Sequence, residues 1–169
     1  MKSRCVVIAM TMALLLGSFG LVSCDGQGSA SANADMAPDF TLKDLDGNNY
    51  SFASTKGKVV ILDFWATWCP PCRIGIPEFQ ALYEQYKDKG LVVVGVALDQ
   101  GGVQVVKPFV KKNGVTYLVA IGDRGVVAAY GGIRGIPTTF VIDRQGKIVQ
   151  KYVGYREKKI FEADIKKLL

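Results

Sequence analysis

An unbroken apolar stretch, Val59-Val60-Ile61-Leu62, leads through Asp63-Phe64-Trp65-Ala66-Thr67-Trp68 into Cys69-Pro70-Pro71-Cys72. Residues 58–66 have the pattern of a central strand buried on both faces, which requires a layer on each side of its sheet. A helix is expected to begin at Pro70 or Pro71, since proline is tolerated in the first turn. Phe79, Leu82, Tyr83 and Tyr86 recur at i, i+3, i+4 and i+7, so one stripe of that helix faces a core. Pro77 is expected to kink it. Both cysteines therefore fall where a buried strand gives way to a helix.

The remaining pattern alternates strand and helix. Residues 40–45 and 49–52 alternate around Asp46-Gly47 and read as a β-hairpin. Residues 91–98 form a second strand of the buried type. A helix is expected over 103–112, a short strand over 116–120 and a short helix over 125–130. Residues 138–142 and 147–153 alternate across Arg144-Gln145-Gly146 as another hairpin. A terminal helix over 156–169 carries Ile160, Phe161, Ile165 and Leu168 on its apolar side. The fold class is α/β, a central mixed sheet flanked by helices on both faces, with the first hairpin as an N-terminal extension.

The first residues have another purpose. Lys2 and Arg4 form a short basic region, and residues 6–17 an apolar one, too short for an ordinary membrane span of ~20 residues. The run ends in Leu21-Val22-Ser23-Cys24, which resembles a bacterial lipobox, in which the cysteine is lipidated. An ordinary signal peptide or an uncleaved anchor is the alternative. Three parts follow: a lipoprotein signal peptide over 1–23, a flexible polar tether over 24–35 starting at lipidated Cys24, and one domain over 36–169. More than one acyl chain on Cys24 gives firm membrane attachment. The expected location is the extracytoplasmic face of the cell envelope, and Asp25 after the cysteine favours the inner membrane.

Removing 23 residues from the 169 leaves 146, enough for one core, and lowers the net charge from +6 to about +4. The basic residues are scattered as on solvated helix faces, with no basic–aromatic alternation, so no nucleic-acid partner is expected. The chain is expected to be a monomer.

Cys5 leaves with the signal and Cys24 becomes a thioether, so only Cys69 and Cys72 remain as thiols. With no histidine in the chain, a one-chain zinc site of four Cys or His ligands is excluded, as is Cys-His or Ser-His nucleophilic catalysis. C-x-x-C alone is also compatible with a structural disulfide or half of a zinc site; its strand–helix context favours a reversible dithiol. A helix N-terminus carries partial positive charge and free N–H groups, and thiols there have pKa values of ~3.5–7.5 against ~8.5 unperturbed. Cys69, nearer solvent, is the expected nucleophile, and Cys72, deeper, the resolving thiol. The pair is its own redox group, with no further cofactor and no metal expected. Asp63 interrupts a buried strand. It is either a structural carboxylate at a strand edge or a desolvated acid able to accept the Cys72 proton. Pro137 is either an edge marker or, if the Ile136–Pro137 bond is cis, a device turning backbone toward the dithiol.

The run 60–72, Pro77, and Gly135-Ile136-Pro137-Thr138-Thr139-Phe140 together resemble the thioredoxin superfamily. Ala37-Pro38-Asp39-Phe40-Thr41-Leu42 and Val141-Ile142-Asp143-Arg144-Gln145-Gly146 resemble its membrane-tethered TlpA/ResA branch. The resemblance implies a thioredoxin-like fold, a cis Pro137, and thiol–disulfide oxidoreductase activity, most simply as a reductase. It implies a substrate-binding surface of Trp68, Pro70, Pro71, Ile136 and Pro137, with Ile136 pairing with a substrate backbone as an added strand. It also implies protein disulfide substrates, oxidised apocytochrome c among them, and a membrane thiol reductase as electron donor. Two positions depart from the branch. Asp63 matches the buried acid of thioredoxin, where the branch often has Asn. The acid that serves the site three positions after the second cysteine is here Gly75, and Glu78, a turn farther on, is expected at the surface.

Two other functions compete. A peroxiredoxin-like thiol peroxidase needs a lone cysteine with a Thr or Ser and an Arg, for which Thr67 and Arg73 are the available residues. A Cu(I)-binding lipoprotein would use the two soft thiolates, with Met36 remote in sequence.

Overall fold

The structure, a computed structural model, describes residues 35–169. The expected signal peptide over 1–23, the lipidation site Cys24 and the tether up to residue 34 lie outside the described residues. No helix among the described residues is long and apolar enough to cross a membrane.

Seven strands form one mixed sheet. In chain order they are β1 (Thr41–Asp44), β2 (Asn49–Ser51), β3 (Val59–Trp65), β4 (Leu91–Ala97), β5 (Leu118–Ile121), β6 (Thr138–Ile142) and β7 (Ile148–Val153), and their spatial order is β2-β1-β5-β4-β3-β6-β7. β3, β4 and β5 run parallel, and the other neighbours pair antiparallel. Among the described residues four α-helices accompany the sheet: α1 (Pro70–Tyr86), α2 (Val103–Lys112), α3 (Arg124–Ala129) and α4 (Lys158–Leu168). α1 runs through Pro77 as a single element. This is the thioredoxin-like α/β architecture, with the first hairpin as an edge extension.

Every residue of β3 is buried. The strand period of two sends Val59, Ile61 and Trp65 into one core, with Ile76, Phe79 and Leu82 of α1 and Phe161 and Ile165 of α4. Val60, Leu62 and Phe64 enter a second core on the other face, against Val126 of α3, Phe52 and Phe140. Each fully buried aliphatic or aromatic side chain is worth roughly 1.5–3 kcal/mol. Position 63 has the parity of 61 and 65, so Asp63 faces α1. Its neighbour across the β3–β4 pairing is Gly95, where a Cβ would stand 2.8 Å from Trp65 Nε1. β4 thus offers Asp63 no side chain.

Three expectations shift. β5 starts at Leu118 rather than 116, because α1 captures Thr116: its N–H donates to Gln80 Oε1 at 2.8 Å and its hydroxyl to Glu84 Oε1 at 3.0 Å. The terminal helix starts at Lys158 rather than 156. Ile160 is exposed, not on the buried side; Phe161, Ile165 and Leu168 at i, i+4 and i+7 form the inward stripe, and Ile160 lies one helical step outside it. The chain enters the sheet beside the β6–β7 turn, where Ala37 N–H donates to the Gly146 carbonyl and Ile148 N–H to that of Asp35.

Candidate active site

The C-terminal end of β3 sets the site's position. Leu98 N–H donates to the Trp65 carbonyl at 2.8 Å, tying the exits of β3 and β4 together. The next residues are held by Asp99, a buried carboxylate just past β4. It accepts the Thr67 N–H at 3.0 Å and the Thr67 hydroxyl at 2.5 Å. Sequence reasoning missed Asp99; the partners are 32 positions apart, and no local pattern links them.

Cys69 is the N-cap of α1, with extended backbone (φ −86°, ψ 108°). Its carbonyl accepts the Arg73 N–H, the first bond of the helix. Pro70 and Pro71 occupy the next two positions and have no N–H. The first amide of the helix able to donate is therefore that of Cys72, and it points at Cys69 Sγ, 3.3 Å away. A helix N-terminus with its free N–H on a sulfur favours the thiolate. In this structure the two cysteines form a disulfide, with Cα atoms 5.3 Å apart.

Exposure does not separate the cysteines as expected: Cys69 is 3% and Cys72 2% exposed. They differ in what they face. Cys69 Sγ lies 3.6 Å from the Ile136 carbonyl. As a disulfide sulfur it has no proton to donate there; as a thiol it would. The Ile136–Pro137 bond is cis. On the other flank Trp68 is 67% exposed, Pro70 is exposed and Pro71 half-buried. Cys72 faces inward, lining a cavity of about 10 Å³ with Asp63, Pro137 and Thr139, room for about one water.

Asp63 is buried, and its only hydrogen bond among the described residues comes from the Thr139 hydroxyl, 2.7 Å from Oδ1. Burial pushes its carboxyl up to about 7, while the Thr139 bond pulls the other way. Asp63 therefore reaches the cavity of Cys72 from the strand beneath it, poised near neutrality.

Glu78 is half-buried rather than on the surface. Its Oε1 accepts the Tyr155 hydroxyl at 2.8 Å, while Oε2 is shielded from solvent and has no partner. Tyr155 lines the same cavity and was not anticipated. Glu78 shares a helix face with Gly75, and the bare glycine admits the phenol ring from the far end of the chain.

Thr67 gives its hydroxyl to Asp99, and Arg73 lies over the Phe109 ring, 6.0 Å from its centroid. The Thr and Arg of a lone-cysteine peroxidase are thus engaged elsewhere. Met36 pairs with Lys147 beside the β6–β7 turn, at the far end of the sheet from the cysteines. Among the described residues no group of three or more Cys, Asp or Glu side chains converges to hold a metal ion.

A thioredoxin-like sheet with a C-x-x-C pair at the start of its first long helix, opposite a cis-proline, defines the class of thiol–disulfide oxidoreductases. The comparisons with known proteins agree. Residues 32–169 match the Redoxin family. The thiol-disulfide oxidoreductase ResA of Bacillus cereus is 33% identical over 170 residues, covering 99% of this chain and 98% of the relative. The thioredoxin-like protein YneN of Bacillus subtilis is 38% identical over 131 residues, covering 77% of this chain and 76% of the relative. Among solved structures, a thiol:disulfide interchange protein of the thioredoxin family from Chlorobium tepidum superposes with a TM-score of 0.73 at 38% identity, over 79% of this chain and 94% of that one. StoA from Bacillus subtilis does so with a TM-score of 0.64 at 30% identity, over 76% and 97%. The chain belongs to the Redoxin family, as a TlpA/ResA-like member of the thioredoxin superfamily, and is a thiol–disulfide oxidoreductase.

Proposed function

We propose that the chain reduces extracytoplasmic protein disulfides through Cys69 and Cys72, with Asp63 as proton acceptor. The observation that carries this reading is the cavity that Asp63 shares with Cys72, directly behind a sulfur held at a helix N-terminus.

The Cys69 thiolate attacks one sulfur of a substrate disulfide, forming a mixed disulfide and releasing the other substrate sulfur as a thiolate. Cys72 passes its proton to the Asp63 carboxylate and attacks Cys69 Sγ. The Cys69–Cys72 disulfide forms, and the second substrate thiolate leaves. Two electrons pass from the dithiol to the substrate. Solvent protons neutralise the released thiolates, and Asp63 returns its proton to Cys72 when a dithiol donor reduces the pair again. The disulfide is the redox group, so no further cofactor takes part.

The substrate settles on Trp68, Pro70 and Pro71, with its backbone beside Ile136 and Pro137. Oxidised apocytochrome c is the candidate substrate, and a membrane thiol reductase the electron donor. Lipidation at Cys24 would fix a monomeric chain to the extracytoplasmic face of the inner membrane. Loss of detergent-phase partitioning in Cys24→Ser tests the anchor.

Insulin reduction driven by dithiothreitol, wild type against Cys69→Ser, tests the activity; equal rates would overturn it. Equilibration of the pair with a dithiol buffer tests the direction. A potential near or below about −250 mV supports a reductase, and one near about −120 mV makes it an oxidant.

A further inference from the structure

Gly75 leaves a bare patch on the cavity side of α1, and it is covered from elsewhere in the chain. Tyr155 Cδ2 and Phe79 Cε2 each lie 3.9 Å from the point where a Cβ at 75 would stand. Tyr155 comes from the segment between β7 and α4. Its hydroxyl donates to Glu78 Oε1, 2.8 Å away and one helical turn past Gly75. That bond draws the carboxylate inward: Glu78 Oε2 is cut off from solvent without a partner, an arrangement that costs free energy and that an exposed glutamate avoids by turning to water. Tyr155 lines the cavity of Asp63 and Cys72.

We propose that Tyr155, moored by Glu78, is a positioning residue that caps this cavity, holds it to the volume of one water and so sets how readily Asp63 takes the Cys72 proton. The role rests on the reading of Asp63 as acceptor. A buried carboxylate holds its proton because its charge is poorly solvated. Swinging the phenol away admits water, solvates the charge and weakens the hold. The bond to Glu78 also pushes the Tyr155 hydroxyl's pKa up, so Tyr155 remains a donor through the neutral range.

The groups around Asp63 leave this control to the ring. α1 presents Cys72 and, behind Tyr155, Glu78. β6 presents Thr139, and Tyr117 approaches from the start of β5. Arg156 lines the cavity next to Tyr155 and donates to its carbonyl at 2.7 Å. β4 presents Gly95, and α4 presents Phe161.

The test follows the Asp63 carboxyl by carbon-13 NMR titration of the reduced full-length chain, together with the pH profile of Cys72 alkylation in a Cys69→Ser background. In Tyr155→Ala the Asp63 midpoint is expected to fall from about 7 to below about 6, with the Cys72 profile following it. Glu78→Gln keeps an accepting oxygen and is expected to match the parent, whereas Glu78→Ala moves part of the way. A purely structural tyrosine would lower the melting temperature and leave the midpoint in place; that result in folded Tyr155→Ala overturns the proposal. Should Tyr155→Ala fail to fold, Tyr155→Phe and Glu78→Ala, which untie the ring but keep the chain packed, decide by the same midpoint. Asp63→Asn separates the two ideas. An unchanged Cys72 profile there refutes Asp63 as acceptor, while the Asp63 midpoint in Tyr155→Ala still judges the cap.

Discussion

Asp63 and Thr139 face each other across the β3–β6 pairing, and the threonine hydroxyl, 2.7 Å away, is the only hydrogen-bond donor to this buried carboxylate among the described residues. One neutral hydrogen bond does not replace the hydration of a charge. Burial accordingly raises the carboxyl from its ordinary 3.8 to about 7. Because the folded state binds the proton more tightly than the unfolded state, the folded chain loses stability as pH rises between these values. Below about pH 4 the residue costs nothing, and above about pH 7 the full cost is present, on the order of 4 kcal/mol. The oxidised Asp63→Asn chain is expected to match the parent near pH 4 and to exceed it by about 2–4 kcal/mol at pH 8. Urea melts across that range measure the difference, and a constant gap would contradict it.

Catalysis should move in the opposite direction. With Asp63 as the proposed proton acceptor, Asp63→Asn is expected to slow disulfide reduction on the order of 10²-fold at pH 7. The loss should shrink above about pH 8.5, where Cys72 ionises unaided. Rates of insulin reduction at several pH values give this profile.

Placement at the helix N-terminus is expected to make the Cys69 thiol acidic. In the reduced chain its alkylation by iodoacetamide should titrate below about pH 7.5. Cys72→Ser should accumulate a mixed disulfide between Cys69 and substrate, visible on non-reducing gels. Labelling of Cys72 before Cys69 in the wild type would reverse the assigned roles.

The clasp between Thr67 and Asp99 holds the approach to Cys69. Asp99→Ala leaves the Thr67 N–H and hydroxyl without their acceptor and is expected to cost about 1–3 kcal/mol. The freed loop should also lower the alkylation rate of Cys69, whereas Asp99→Asn, which keeps an accepting oxygen, should restore most of both. Calorimetry and stopped-flow alkylation read the two effects.

Trp68 is two-thirds exposed beside the dithiol. Trp68→Ala is expected to change stability by less than about 0.5 kcal/mol. It should raise KM for a protein substrate and leave the reduction of a small disulfide unchanged. An equal loss on both substrates would remove Trp68 from the binding surface.

The strand–helix junction was legible because its signals are local. Four consecutive apolar residues mark β3, two prolines open α1, and both cysteines lie within that window. Position 63 could be assigned to the α1 face by parity alone. The cis Ile136–Pro137 bond was expected only by family resemblance, since nothing local sets that isomer. The missed contacts are long-range and polar. Asp99 meets Thr67 across 32 positions and Tyr155 meets Glu78 across 77, and no periodicity couples such pairs. Glu78, a turn beyond Gly75, reads as a surface residue; the tertiary packing of a distant tyrosine beside Gly75 draws it inward. Thr116 and Ile160 were misplaced on a smaller scale, one captured by side chains of α1 and the other a single step off its helix stripe.

The described chain joins the sheet beside the β6–β7 turn, whereas Cys69 and Pro137 lie at the opposite end of β6. Five residues of strand separate the two poles, roughly 17 Å. Any force or attachment transmitted through the upstream chain therefore acts at the pole away from the sulfurs. A load applied at Asp35 meets the β6–β7 turn first and reaches the sulfurs only through the length of β6.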